Sequence, residues 1–133
     1  MGVAMPKTYL TLSVLPQVFA VCRLQPQASI PAWATRGAVF SITRSSDEMS
    51  IVCPEKDVPA EMLCARGWRA MRLEGPLDFS LVGILVAVTA PLAEAGISIF
   101  AISTYNTDYI LVREGEFVRA VAVLSAAGHT VSA

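Results

Sequence analysis

Apolar and polar residues alternate through Tyr-Leu-Thr-Leu-Ser-Val-Leu at residues 9–15, the period of two that marks a half-buried strand; a strand is read over residues 7–15 and another over 18–24, with Pro16 between them. Residues 25–31, carrying Pro26 and Pro31, read as a connection, and Trp33 among small residues as a core plug. Strands are expected over 38–43 and 49–53, joined by a polar turn at 44–48, with one helical turn at 54–60. The second half is more regular. A strand over 67–74 precedes a helix over about 79–95, which Asp78 or Ser80 can cap and Gly96 can close. This helix is apolar on nearly every side, which predicts burial, and Pro91 inside it predicts a kink or a split. Two β-rich runs follow at 97–104 and 107–112. Between them stands Tyr105-Asn106, where an Asn tolerant of positive φ suits a tight hairpin. A helix over 114–127 places Phe117, Val121 and Leu124 inside and Glu116 and Arg119 outside; Gly128 ends it, and 129–132 is a last short strand.

Strand, helix, strand, strand, helix, strand is the order of a ferredoxin-like unit. The chain also repeats itself at a shift of sixty. Pro16 falls on Pro76, Phe19 on Phe79, Phe40 on Phe100, Ile42 on Ile102, Ile51 on Leu111 and Val58 on Val118. The first copy is eroded, with no long helix between Cys22 and Arg36. The expected fold is therefore α+β, two ferredoxin-like βαββαβ units in tandem, over residues 7–64 and 65–133.

Composition sharpens this. The chain has 133 residues, 54% hydrophobic and only 16% charged, with a mean hydropathy of +0.56. A membrane span is not the reason: the best run, 79–93, is too short and holds Ser80, Thr89 and Pro91. A large core plus a buried subunit interface accounts for it, so a homodimer is expected. A net charge of −1 gives no pull toward nucleic acid or anionic lipid. Lys7 followed by residues 9–21 faintly resembles a signal peptide, but the alternation at 9–15 suits a strand and Pro16 interrupts the run; Pro6 stands where a myristoylation site needs Ser or Thr, so an unanchored cytoplasmic protein is expected. Cys22, Cys53 and Cys64 are odd in number and widely spaced, which predicts buried free thiols rather than a disulfide framework or a zinc site.

Candidate chemistry is sparse. His129 is the only histidine, so no Ser/His/Asp or Cys/His triad can be assembled without it. No metal-ligand spacing, phosphate loop or dinucleotide fingerprint occurs. Arg66, Arg69 and Arg72 alternate faces on a strand and read as a solvated edge. An acylphosphatase-like enzyme would want an arginine-bearing anion loop, and residues 76–79 have none. What remains is a binding site. Backbone N–H groups at a helix N-terminus around Phe79 and Gly83 favour a carboxylate, and Asp108 beside the hairpin suits an ammonium or guanidinium. Together they describe a seat for a free amino acid. The plainer reading stays open beside it: Asp78 and Ser80 cap a helix, and residues 104–108 make a turn.

These same residues carry a resemblance. Ser-Leu-Val-Gly at 80–83, Pro-Leu-Ala at 91–93 and Gly-Ile-Ser-Ile-Phe-Ala-Ile-Ser-Thr-Tyr-Asn-Thr-Asp-Tyr-Ile-Leu-Val at 96–112 resemble an ACT domain. Phe-Ala-Val-Cys-Arg-Leu at 19–24 and the run at 40–52 resemble the first unit of small bacterial proteins with two ACT-like units. The regulatory domains of aspartate kinases and the cytosolic arginine sensors of animals look related. The resemblance implies an amino-acid-binding regulatory fold that works by ACT–ACT pairing and holds its ligand at the turn before the first helix. Carried over by position, the ligand site comprises Leu77, Asp78, Phe79, Ser80, Leu81, Val82 and Gly83, with Ser103, Thr104, Tyr105 and Asp108. No catalytic residue, no cofactor and no metal is expected. The expected function is a non-enzymatic sensor, with a regulated protein as a further partner. The alternative is a structural ACT-type dimerisation module without a ligand.

Overall fold

The computed structural model describes residues 8–74 and 83–133. Its strands are β1 (Thr11–Leu24), β2 (Ser41–Arg44), β3 (Met49–Pro54), β4 (Cys64–Leu73), β5 (Ile99–Ser103), β6 (Asp108–Arg113) and β7 (Thr130–Ser132); its helices are α1 (Ile84–Glu94) and α2 (Phe117–Ala126). Residues 9–24 were expected to make two strands and make one. Pro16 sits between two ladders, Thr11–Ser13 against β7 and Phe19–Leu24 against β3, so its missing N–H costs neither of them a bond.

Packing groups the chain into two units. One joins the segment ending at Pro16 to Ala70–Ala133, and the other is Gln17–Arg69. This differs from a sequential division at residues 64 and 65. The reason is that Thr11, Leu12 and Ser13 run parallel to Thr130, Val131 and Ser132.

In the split unit the strand order is β5-β6-β4-β1, with β7 on β1. The two helices bury Val88, Leu92, Ala120 and Leu124 against Met71, Ile110 and Val112. On α1 the buried residues Ile84, Val88 and Leu92 recur every fourth position, whereas Val86 is exposed; the helix is buried on one stripe and not all round. On α2 the inner stripe is Ala120 and Leu124, with Phe117 and Val123 packed beside it. Glu116 and Arg119 pair on the outside at 3.0 Å, and Arg119 also donates to the Ala95 carbonyl at the end of α1. Both helices end alike. Gly96 and Gly128 take positive φ, and the residue after each returns a bond into the last turn, Ile97 to Leu92 at 2.9 Å and His129 to Leu124 at 3.1 Å.

In the inserted unit the order is β2-β3-β1-β4. Where the split unit has helices this one has 3-10 turns, Ala32–Thr35 and Glu55–Asp57. Trp33 packs against a core of Ala20, Cys22, Met49, Ile51 and Cys53. Arg66, read from the sequence as part of a solvated edge, is half-buried and donates to the Pro59 carbonyl at 2.9 Å.

The two hairpins correspond at a shift of fifty-nine, one less than the sequence matches suggest. Arg44 pairs with Met49, and Ser103 with Asp108. The difference matters because a one-residue slip exchanges the faces of a strand. Ile51 is the counterpart of Ile110, and each lies in the core of its own unit.

Candidate functional site

The expected site has two parts, the stretch before α1 and the β5–β6 turn. Leu77, Asp78, Phe79, Ser80, Leu81 and Val82 lie outside the described residues. Gly83 is described and decides where the helix starts. Its φ of 82° and ψ of 9° are left-handed, and it is the residue that flanks α1, with no side-chain cap. The helix therefore begins at Ile84 rather than near residue 79. Gly83 accepts the first helical bond from Ala87 at 2.9 Å, and the N–H groups of Ile84, Leu85 and Val86 occupy the turn that has no intrahelical acceptor.

The β5–β6 turn is tight, as expected, but by other means. No described residue except glycine has positive φ, so Asn106 is not left-handed. Thr104 closes the turn instead. Its N–H donates to the Thr107 carbonyl at 2.8 Å. Its hydroxyl donates to the same carbonyl at 3.0 Å and accepts from the Thr107 N–H at 3.3 Å. Thr107, buried, donates from its own hydroxyl to the carbonyl of Leu73 at 2.5 Å. Leu73 is the last residue of β4, so this bond fixes the hairpin turn beside the strand that leads into residues 75–82. Around the turn, Ser103 and Tyr105 are exposed, Tyr105 at 83%. Asp108 is half-buried opposite Ser103. The Thr104 hydroxyl is committed within the turn.

The inserted unit closes the corresponding turn in the same way and adds side-chain ties. Ser45 closes the β2–β3 turn with bonds to Glu48 and Asp47. Arg44 then reaches across to the Ala28 carbonyl and to the Met49 sulfur, and Arg23 donates to the Asp47 carbonyl at 3.3 Å. Two guanidinium groups thus tie strand end, turn and loop together there.

His129 has a role that its isolation in the sequence did not reveal. It is buried, and its Nδ1 accepts from the Leu10 N–H at 3.1 Å while its Nε2 lies 2.8 Å from the Ala87 carbonyl. A carbonyl only accepts, so Nε2 carries the hydrogen and the ring is the neutral Nε2–H tautomer. Ala87 stands four residues before Pro91, whose missing N–H leaves that carbonyl without its helical donor. The histidine supplies the donor, and α1 runs unbroken through Pro91 from Ile84 to Glu94. The signal was present in the sequence as the spacing of Ala87 and Pro91, which names an orphan acceptor but not its partner.

The thiols are also placed. Cys22 and Cys53 are buried and Cys64 is partly buried. Burial, with a hydrogen bond to Cys64 second, pushes the Cys22 thiol up to about 12, and burial pushes Cys53 up to about 11. Among the described residues no group of three or more His, Cys, Asp and Glu could hold a metal ion, and no helix is long and apolar enough to cross a membrane.

The geometry can be set beside known proteins. The family model described as ACT domain matches residues 63–126, and a second, described as an N-terminal domain, matches residues 17–61. An X-ray structure of an Agobacterium tumefaciens protein is 36% identical, covers 93% of this chain and 92% of its own, and superposes with a TM-score of 0.89. The cytosolic arginine sensor for mTORC1, subunit 1, of Bos taurus is 35% identical over 95 residues, which are 65% of this chain and 29% of the sensor. This chain therefore spans less than a third of the length of that curated relative. Aspartate kinase of Clostridium acetobutylicum shares the fold at 13% identity and a TM-score of 0.59, over 84% of this chain and 33% of the kinase. The matched span runs from the end of the inserted unit through β4, α1, the Thr104 turn and α2, which are the parts the sequence motifs pointed to: residues 63–126 are an ACT domain, and the protein is ACT-like.

Proposed function

We propose that this protein is a regulatory module that binds a small molecule, an amino acid, at the α1 end of its split unit, without catalysis of its own. The observation that carries the reading is the Thr107–Leu73 hydrogen bond, which holds the β5–β6 turn beside the strand leading to α1. A carboxylate is served by the N–H groups at the start of α1, where the helix dipole favours negative charge, and Gly83 leaves room for close approach. Asp108 supplies the opposite charge for an ammonium or guanidinium, with Ser103 and Tyr105 at the rim. By position in the chain the proposed site also takes in Leu77–Val82, which lie outside the described residues. Likeness to a curated arginine sensor, and a fold shared with an aspartate kinase described as an allosteric enzyme, support an amino acid as the ligand class. Pairing of two copies through apolar surface, biased by ligand, is the proposed output, passed on to a regulated partner protein.

A structural pairing module without ligand is the second reading. It is favoured by Thr104, whose hydroxyl is committed to the turn rather than offered to a ligand.

A thermal-shift screen against the twenty amino acids tests the choice. A ligand at about 100 times its Kd stabilises the fold by roughly 2.7 kcal/mol. The expected result is a single class of hit whose affinity, by calorimetric titration, falls about tenfold or more in Asp108→Ala, as loss of a charge-assisted bond requires. A flat screen on folded protein, or a hit that Asp108→Ala leaves unchanged, overturns the proposal.

A further inference from the structure

From the cysteine arrangement we infer that the inserted unit carries an oxidation site, in which Cys64 is attacked by a peroxide and Cys22 closes a disulfide onto it. The inference stands apart from the ligand reading. Cys53, Cys22 and Cys64 lie on β3, β1 and β4, three successive strands of the unit's order, and all belong to its one apolar cluster. The Glu74 N–H bonds the Thr11 carbonyl at 2.8 Å, so β4 ends where β1 begins and the two neighbouring strands run antiparallel, which brings Cys64, at the start of β4, level with Cys22 near the end of β1. Neighbouring strands stand about 4.8 Å apart, inside the roughly 4.4–6.8 Å between Cα atoms that a disulfide spans. Cys53 is one step removed. It pairs with Ala20, and Cys22 with Ile51, so those two cysteines are diagonal on the ladder.

Access separates the roles. Cys22 is 1% exposed and Cys53 is closed off completely. Cys64 is partly exposed and follows Leu63, which stands 91% exposed where the chain enters β4. A thiolate is the nucleophile toward peroxide, and burial disfavours it at Cys22 and Cys53, leaving Cys64 as the group that reacts with solvent-borne oxidant. The Cys64 sulfur takes one peroxide oxygen, forming a sulfenic acid and releasing water. The Cys22 thiol then attacks the Cys64 sulfur; the S–O bond breaks, the S–S bond forms and a second water leaves. Two thiols and one hydrogen peroxide give one disulfide and two waters. Each sulfur is oxidised by one electron and the two peroxide oxygens are reduced. The bridge encloses the whole β2–β3 hairpin and both 3-10 turns, so it constrains the inserted unit and not the ligand turn of the split unit.

The test treats the reduced protein with hydrogen peroxide and reads intact mass, free thiols and cross-linked peptides under non-reducing conditions. The expected result is loss of two hydrogens, a fall from three titratable thiols to one, a peptide joining Cys22 to Cys64, and an upward shift of the thermal midpoint that a thiol reductant reverses. Cys53→Ala should leave all four signals in place. Cys64→Ala and Cys22→Ala should each abolish the link; only the second should accumulate a sulfenic acid that a dimedone probe labels. A link involving Cys53, a disulfide between two chains, or oxygen added at Cys64 in the native protein with no loss of hydrogens overturns the inference.

Discussion

Replacing His129 by Phe keeps a ring of similar size in a site that is 6% exposed and removes both of its hydrogen bonds. The Leu10 N–H loses its acceptor and the Ala87 carbonyl loses its donor. Each bond contributes about 1 kcal/mol net, and stranding a buried partner raises the cost toward 1–3 kcal/mol, so His129→Phe is expected to cost about 2–4 kcal/mol in a urea titration at unchanged m value. The discriminating experiment adds Pro91→Ala. Alanine at 91 brings back the N–H that α1 lacks and offers it to the Ala87 carbonyl four residues earlier. In that background His129→Phe strands only Leu10, and its cost should fall by about 1–2 kcal/mol. This is a coupling between two side chains linked through one carbonyl. If His129→Phe costs the same with Pro91 and with Ala at 91, the histidine is not repairing the proline's missing bond, and the account of how α1 stays continuous is wrong.

Gly96→Ala and Gly128→Ala form a matched pair: both residues have positive φ, but a Cβ at Gly96 meets nothing within 4 Å while one at Gly128 falls 2.3 Å from Tyr9 Cε1. The first should cost about 1–2 kcal/mol from backbone strain alone, and the second more because the Tyr9 ring must leave; equal costs in chemical denaturation would show that the ring contributes nothing there. Thr107→Val removes the donor to Leu73 without changing shape and should cost about 1–2 kcal/mol, together with a measurable loosening of the β5–β6 turn in amide exchange. The raised thiols set an alkaline limit. The ordinary thiol value is 9.0 and Cys22 is held at about 12 in the fold. The unfolded chain therefore sheds these protons first, and their contribution, complete below pH 9, is lost as pH rises toward 12. Cys22→Ala should flatten the fall in stability with pH over that window; an unchanged slope would contradict the burial argument.

Much of the split unit was legible in the residues, because its instructions are local. Period-two and period-four patterns select strand or helix through which face is apolar, and Gly96 and Gly128 end their helices because only a residue without Cβ takes positive φ cheaply. The turn at residues 104–107 was legible in place but not in mechanism. The sequence drew attention to Asn106, while the structure closes the turn with the Thr104 hydroxyl. Of the expected site, Ser103 and Tyr105 are exposed, Asp108 is half-buried, Gly83 flanks α1 instead of lying inside it, and Thr104 serves the turn.

The sequence by itself determined the helix stops, the α+β class and the likeness to an ACT domain. Tertiary structure decided what those elements do to one another. It drew residues 11–13 to 130–132, which no local pattern encodes, because a parallel ladder joins segments more than a hundred residues apart. It set the hairpin correspondence at fifty-nine, because burial selects a strand face and a one-residue slip exposes the wrong one. It kept α1 continuous through Pro91, because an orphan carbonyl takes whichever donor the packed core brings within reach, and here that donor is His129.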